Sequence, residues 1–218
     1  TALEKLYCNE NQLTSLDVST NTALYRLSCF DNQLTSLDVS NNTALYSLKC
    51  YDNQLTNLDV SGATTLTYLR CYDNQLTSLD VSNNTNLTDL SCWANQLTSL
   101  DVRNGNNTNF TVFEATTNPN LYCIDVDDVA WADTNWTVAG NHIDPWTSFS
   151  SNCAIALGCT DTLACNYDST AIIDDSSCGY PTSGSSSITA CDTYTWDGQT
   201  ITSSQILTHT YTNVAGCD

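Results

Sequence analysis

A parallel β solenoid of 21-residue coils, with little or no helix, is the fold this sequence predicts, followed by a small cysteine-rich module and the start of a β-rich domain. Three observations carry that expectation. Asn-Gln-Leu-Thr recurs from Asn11, Asn32, Asn53, Asn74 and Asn95, each copy 21 residues after the last. Around each copy runs Leu-x-x-Leu-x-Cys-x-x-Asn-Gln-Leu-x-x-Leu-Asp-Val, as in Leu24 through Val39. A cysteine keeps the same period at Cys8, Cys29, Cys50, Cys71 and Cys92.

This is the leucine-rich-repeat pattern with cysteine in one leucine slot. Each coil has room for a short strand such as Leu27-Ser28-Cys29, an Asn turn and an extended return, and none for a helix. Leu24, Leu27, Cys29, Leu34, Leu37 and Val39, with their equivalents, point inward and stack on the next coil. Asn11, Asn32, Asn53, Asn74 and Asn95 are expected to turn inward and satisfy free backbone groups of the adjacent turn.

After Val102 the pattern degrades through Arg103-Asn104-Gly105-Asn106-Asn107, and an irregular sixth coil follows through Phe110, Phe113, Ala115, Asn118, Leu121, Ile124 and Val126. Atypical terminal repeats are caps. Trp131, Trp136 and Trp146 are available to cover the open end of the core. The organisation expected is repeats over 1–108, last coil and cap over 109–153, an acidic cysteine-rich module over 154–182, and a partial β-rich domain over 183–218. Thr1-Ala2-Leu3 shares the phase of Thr22-Ala23-Leu24, which suggests an internal piece of a longer polypeptide whose export signal lies elsewhere.

The twelve cysteines fall into two populations. Neighbouring ladder cysteines would sit about 4.8 Å apart on parallel strands with parallel Cβ vectors, a poor arrangement for bridging, so five free buried thiols are expected. The other seven lie in polar sequence with few apolar residues, where disulfides form in oxidising compartments. Cys123 with Cys153 and Cys191 with Cys217 bracket one module each. Among Cys159, Cys165 and Cys178, the pair Cys159 with Cys178 would close the acidic loop, with Cys165 competing. An extracellular address follows.

The balance of 24 Asp and Glu against five Lys and Arg gives a net charge of −19, which disfavours nucleic acid and anionic lipid. No apolar run is long enough to span a bilayer. Catalysis finds no support, because His142 and His209 lie apart and outside any nucleophile or metal motif.

Asn118 through Val129, followed by Asn135-Trp136-Thr137 and Ser148 through Cys153, resembles the C-terminal cap of secreted bacterial leucine-rich-repeat surface proteins. With the repeats, that resemblance covers residues 1–153. It implies a long multidomain protein, commonly exported by the type IX secretion route and displayed on the outer surface. The stretch Gly158 through Cys178 is similar to a short cysteine-rich module between domains of such proteins. Cys191 through Gly198 and Asn213 through Asp218 resemble the start of a β-rich repeat domain of giant bacterial adhesins, and Thr208-His209-Thr210-Tyr211-Thr212 is a strand signal by alternation.

Two candidate sites emerge. The residue after the ladder cysteine is aromatic in four successive coils, Phe30, Tyr51, Tyr72 and Trp93, with Arg26, Lys49 and Arg70 (and Lys5) on the same face and Glu10, Asp31, Asp52 and Asp73 beside it. Aromatics flanked by charged groups suit sugar rings or an extended peptide, although duplication alone also makes stripes. Asp161, Asn166, Asp168, Asp174 and Asp175 place hard oxygen ligands inside a cysteine-tied loop, a chemistry that suits Ca²⁺, although solvated Asp in an acidic chain is the plainer alternative. The function expected is a non-enzymatic structural or adhesive segment of a very long extracellular surface protein or appendage, touching copies of itself, as a homo-oligomer, other surface proteins or glycans. The alternative is a dedicated polysaccharide- or protein-recognition module using the aromatic stripe.

Overall fold

The computed structural model describes residues 2–155, 157–169, 171, 173–174, 176–180, 182–188, 193–196, 199–202 and 205–211. They fall into two compact units, Thr1–Ala154 and Ile155–Asp218. In the first unit the elements are β1 (Lys5–Tyr7), β2 (Arg26–Ser28), β3 (Ser47–Lys49), β4 (Tyr68–Arg70), β5 (Ser78–Asp80) and β6 (Asp89–Ser91). β7 (Ser99–Asp101), β8 (Val112–Glu114), β9 (Cys123–Asp125), α1 (Val129–Asn135) and β10 (Ser148–Ser150) follow.

The first unit is a leucine-rich-repeat solenoid. One parallel sheet runs β1-β2-β3-β4-β6-β8, and a second runs β5-β7-β9-β10 along the returning side of the coils. The 21-residue period puts the same residue in register from coil to coil: Leu6, Leu27, Leu48, Leu69, Leu90 and Phe113 face one another in sequence across the first sheet. From Leu27 onward these side chains are almost wholly buried, as are Leu34, Leu55, Leu76 and Leu97 on the return. The strands occupy Arg26–Ser28 and its equivalents, one residue earlier than Leu27-Ser28-Cys29. The reason is a sharp corner just beyond: Glu10, Asp31, Asp52, Asp73 and Ala94 each take a left-handed backbone, with φ between 48° and 58°.

The ladder asparagines hold that corner. Asn74 Nδ2 donates to the carbonyls of Cys50, Cys71 and Tyr72, and its Oδ1 accepts from Leu55 N–H of the preceding coil at 2.9 Å. Asn32, Asn53 and Asn95 repeat the arrangement, and Asn118 carries it into the irregular coil by accepting from Leu97 N–H. A second buried series, Asn42 and Asn84, donates to Val18 and Asn21 and to Val60 and Ala63 on the far side of the coil.

Cys29, Cys50, Cys71 and Cys92 are free and buried, and Cys8 is free and half-buried in the first coil. The end of the core is closed by α1, whose start is capped by Asp128 accepting from Trp131 N–H. Trp136 then stacks on Phe113 at 3.9 Å between ring centroids and meets Phe110 and Trp131 edge-on. Trp146 does not share this role; it stays largely exposed. Cys123 and Cys153 form a disulfide that ties β9 to the segment after β10.

In the second unit β11 (Leu157–Gly158) pairs in parallel with β12 (Ile173–Asp174), and Cys159 is bonded to Cys178. Cys165, which the sequence leaves without a partner, is also disulfide-bonded. The expected Cys191–Cys217 pair lies outside the described residues. β13 (Thr182–Ile188) and β16 (Gln205–Tyr211) pair antiparallel around a hairpin of β14 (Tyr194–Trp196) and β15 (Gln199–Ile201). Among the described residues no helix is long and apolar enough to cross a membrane.

Candidate functional site

Because side chains alternate along a strand, each three-residue strand of the first sheet turns its middle residue inward (Leu6, half-buried, in β1, a buried Leu in β2, β3, β4 and β6, and Phe113 in β8) and its two flanking residues toward the other side. The parallel register therefore builds two outward columns. Lys5, Arg26, Ser47, Tyr68 and Asp89 form one, and Tyr7, Ser28, Lys49, Arg70 and Ser91 form the other. Tyr25 and Tyr46 precede β2 and β3 on the same face. Between the columns lies a groove of about 290 Å³ whose walls include Tyr7, Arg26, Tyr46, Ser47, Lys49 and Tyr68.

Cations and rings are interleaved along this face. Lys5 Nζ lies 5.4 Å from the Tyr25 ring centroid, the Arg26 guanidinium 6.0 Å from Tyr46, Lys49 Nζ 5.4 Å from Tyr68, and the Arg70 guanidinium 4.6 Å from the same ring. Such placements attract through the ring quadrupole and fix long side chains without neutralising them. A hydrogen bond with Tyr25 holds the Lys5 ammonium above its ordinary range.

The charge pattern along the sheet is polar. Arg70 pairs with Asp89 at 3.4 Å. Burial pushes the Asp89 carboxyl up, and the pull of Arg70 does not overcome it. Ser91 Oγ donates to Glu114 Oε2 at 2.6 Å, so the later coils are acidic. Arg103 belongs to the other sheet and is consumed there by Asp101 at 2.6 Å, Asp125 at 3.6 Å and the Ser151 carbonyl. Among the described residues, Lys5, Arg26 and Lys49 have no carboxylate at ion-pairing distance. In a chain of net charge −19, the unpaired cations are thus gathered on the first three coils of one face.

The aromatic stripe forms a continuous stack. Phe30, Tyr51, Tyr72 and Trp93 are half-buried and stack on one another, with centroids 4.4, 4.3 and 4.5 Å apart. Between neighbours there is no space for a ligand ring. Burial, with Tyr51 beside it, pushes the Tyr72 hydroxyl up to about 12. Glu10, Asp31, Asp52 and Asp73 serve the left-handed corner, a conformation that Asp tolerates better than most residues. The stripe and the cations share a side of the coil, but the rings that line the groove with Arg26 and Lys49 are Tyr7, Tyr46 and Tyr68. Sequence reasoning passed over these because each column mixes residue types, and only the register of β1 to β4 brings them together.

In the acidic loop the described candidates are engaged with protein atoms. Asp161 accepts from Tyr180 O–H at 2.6 Å and from Leu163 N–H. Asn166 donates to the Ser177 carbonyl and accepts from Gly179 N–H, and Asp174 accepts from Ser176 N–H. Asp168 lies close by, its N–H on the Cys159 carbonyl; Asp175 lies outside the described residues. Among the described residues no group of three or more His, Cys, Asp and Glu converges as a metal site.

No family model matches the chain, and no curated protein matches it. Among solved structures it is similar to the functional domain of InlJ from Listeria monocytogenes, which includes a cysteine ladder: 39% identity and a TM-score of 0.52, over 57% of this chain and 30% of that one. It also aligns with an internalin, InlF, of Listeria monocytogenes strain 4b F2365, at 22% identity and a TM-score of 0.47, over 69% of this chain and 48% of that one. The chain thus spans less than half the length of either structure.

Proposed function

We propose that this chain is a non-enzymatic recognition and attachment module of an extracellular bacterial surface protein, working through the outward face of β1 to β4. The observation that carries the reading is the set of unpaired cations, Lys5, Arg26 and Lys49, held among tyrosines on an open sheet face of an otherwise acidic chain. A cluster of unpaired cations on a chain of net charge −19 makes physical sense where that patch meets a partner. Disulfides in both units suit an oxidising exterior, and the likeness to the InlJ functional domain supports a surface role.

The finer reading is that the module belongs to a very long adhesin or appendage exported by the type IX route, with copies side by side. The resemblance of residues 118–153, 158–178 and 191–218 to parts of such proteins supports it. A solenoid with a stacked aromatic spine and a buried Asn ladder is a stiff arm on which a binding face is held at fixed geometry.

The test is to fill the groove without changing charge. Beads carrying the full chain should adhere to extracellular matrix and cell surfaces, and Ser47→Trp, in the outward column between Arg26 and Tyr68, should abolish adhesion. Thr56→Trp, on the exposed return of the coil, should not. Equal adhesion by both variants would refute the sheet face as the attachment surface.

A further inference from the structure

Resting on that attachment reading, we infer that the groove between Arg26 and Lys49 binds a carboxylate-bearing sugar set within an otherwise neutral glycan. Three features of the site select this ligand class. The first is charge. Arg26 offers a planar guanidinium, which grips an oxyanion through paired hydrogen bonds, and Lys49 adds a compact positive charge across the groove. Arg70, the next cation along, is committed to Asp89, so Arg26 and Lys49 are the cations in the groove's walls, with Lys5 beside Arg26 on the neighbouring strand.

The second feature is the field of the whole chain. At physiological salt, charges separated by more than about 8 Å are largely screened, so a single carboxylate seated between Arg26 and Lys49 responds to the local patch. A polyanion responds to more. A heavily sulfated glycan or a strongly acidic peptide extends its charge along the sheet, where it meets Asp89 and Glu114, and over corners occupied by Glu10, Asp31, Asp52 and Asp73. One charge on a neutral chain is the arrangement this surface accepts.

The third feature is the lining. Tyr7, Tyr46 and Tyr68 with Ser28 and Ser47 supply hydroxyls that both donate and accept, which suits a polyhydroxylated ligand. Tyr7 and Tyr46 are 60% and 44% exposed, offering ring surface to the C–H face of a pyranose. A protein partner would instead need an apolar or aromatic anchor seated in a dry pocket. Leu27, in the lining of the groove, is only 1% exposed, so the groove offers such an anchor no aliphatic floor. A volume of about 290 Å³ lies at the small end of ligand sites, which run from roughly 300 Å³ upward, and fits one sugar ring with its neighbours left outside.

The experiment is a titration of the full chain, followed by NMR, with methyl β-glucuronide, methyl β-glucoside, a neutral-capped peptide bearing one Asp, and heparin. Glucuronide is expected to bind at least tenfold more tightly than glucoside, from which it differs by its carboxylate, and more tightly than peptide or heparin. Arg26→Gln with Lys49→Gln should bring glucuronide down to the level of glucoside, with an unchanged thermal transition because both side chains point outward. Arg26→Lys should lose part of the preference, since it keeps the charge and loses the fork. Equal binding of glucoside and glucuronide, tighter binding of peptide or heparin, or a preference that survives the double substitution would each overturn the inference. If Ser47→Trp abolishes adhesion while the carboxylate preference is absent, the attachment face stands and the ligand class proposed here falls.

Discussion

Tyr51 and Tyr72 stack with ring centroids 4.3 Å apart and planes 12° from parallel, somewhat closer than the ~4.8 Å spacing of the parallel coils that carry them. Each ring is therefore a floor for the next, and the stripe works as a spine along the solenoid. Stacked pairs contribute about 0.5–1.5 kcal/mol each beyond their area. Tyr72→Ser removes two of them, with Tyr51 and with Trp93, and should cost ~1–3 kcal/mol in denaturant unfolding while leaving adhesion per folded molecule unchanged. Loss of adhesion without loss of stability would return the stripe to the binding surface.

Asn74→Ala should be among the most damaging single changes in the repeats. It withdraws a donor from three carbonyls and an acceptor from Leu55 N–H. Buried groups left unpaired cost about 1–3 kcal/mol each, so a loss of at least ~3 kcal/mol is expected in equilibrium unfolding. Asn74→Asp should not rescue it, because a carboxylate cannot donate to carbonyls. A loss below ~1 kcal/mol would mean that the corner is held by other contacts.

Burial pushes Cys29 and Cys71 up to about 12. In the unfolded chain a thiol ionises near about 8.5, so between these values the unfolded state binds fewer protons than the folded one. The stability this contributes is complete below the unfolded value and is lost as pH rises toward 12. Each thiol should lower stability by up to ~1.4 kcal/mol per pH unit in that window. Unfolding measured from pH 8 to 11 should show the decline, and Cys71→Ala should reduce its slope by one thiol's share. An identical slope in that variant would contradict the inward assignment.

Ala94 holds a left-handed backbone, φ 50°, at the corner where earlier coils carry Glu10, Asp31, Asp52 and Asp73. An L-residue other than Gly, Asn or Asp is penalised there by roughly 1–2 kcal/mol. Ala94→Gly is expected to stabilise by up to ~1 kcal/mol despite the greater freedom of the unfolded chain. A destabilised variant would show that the Ala94 methyl packs usefully.

The solenoid was legible in the sequence because its causes are periodic. A leucine buried in every coil and an asparagine bonded to every corner must recur at the coil length, and Leu27, Leu48 and Leu69 or Asn32, Asn53 and Asn74 do so. The second asparagine series is periodic too, at Asn42 and Asn84, but Ala63 breaks it and hides it among polar turn residues. The corner acids were visible as a pattern while their reason, a left-handed backbone, was not. The groove was harder still to read. The cations Arg26, Lys49 and Arg70 were visible on one face, but the tyrosines that line the groove with them, Tyr7, Tyr46 and Tyr68, fall at different positions in their coils, so no repeat marks them. The helix Val129–Asn135 is a short piece of about two turns without apolar periodicity, fixed by the Asp128 cap and the burial of Trp136.

The central claim is that the cations of the β1–β4 face carry attachment. The most direct measurement compares adhesion of the full chain with that of Arg26→Gln/Lys49→Gln and of Thr35→Glu/Thr77→Glu, an equal shift in net charge placed on exposed residues of the return flank. If the face is the site, the first pair loses adhesion at least tenfold and the second retains it. Equal losses would mean that net charge alone governs adhesion, and adhesion retained by both would place attachment elsewhere on the molecule.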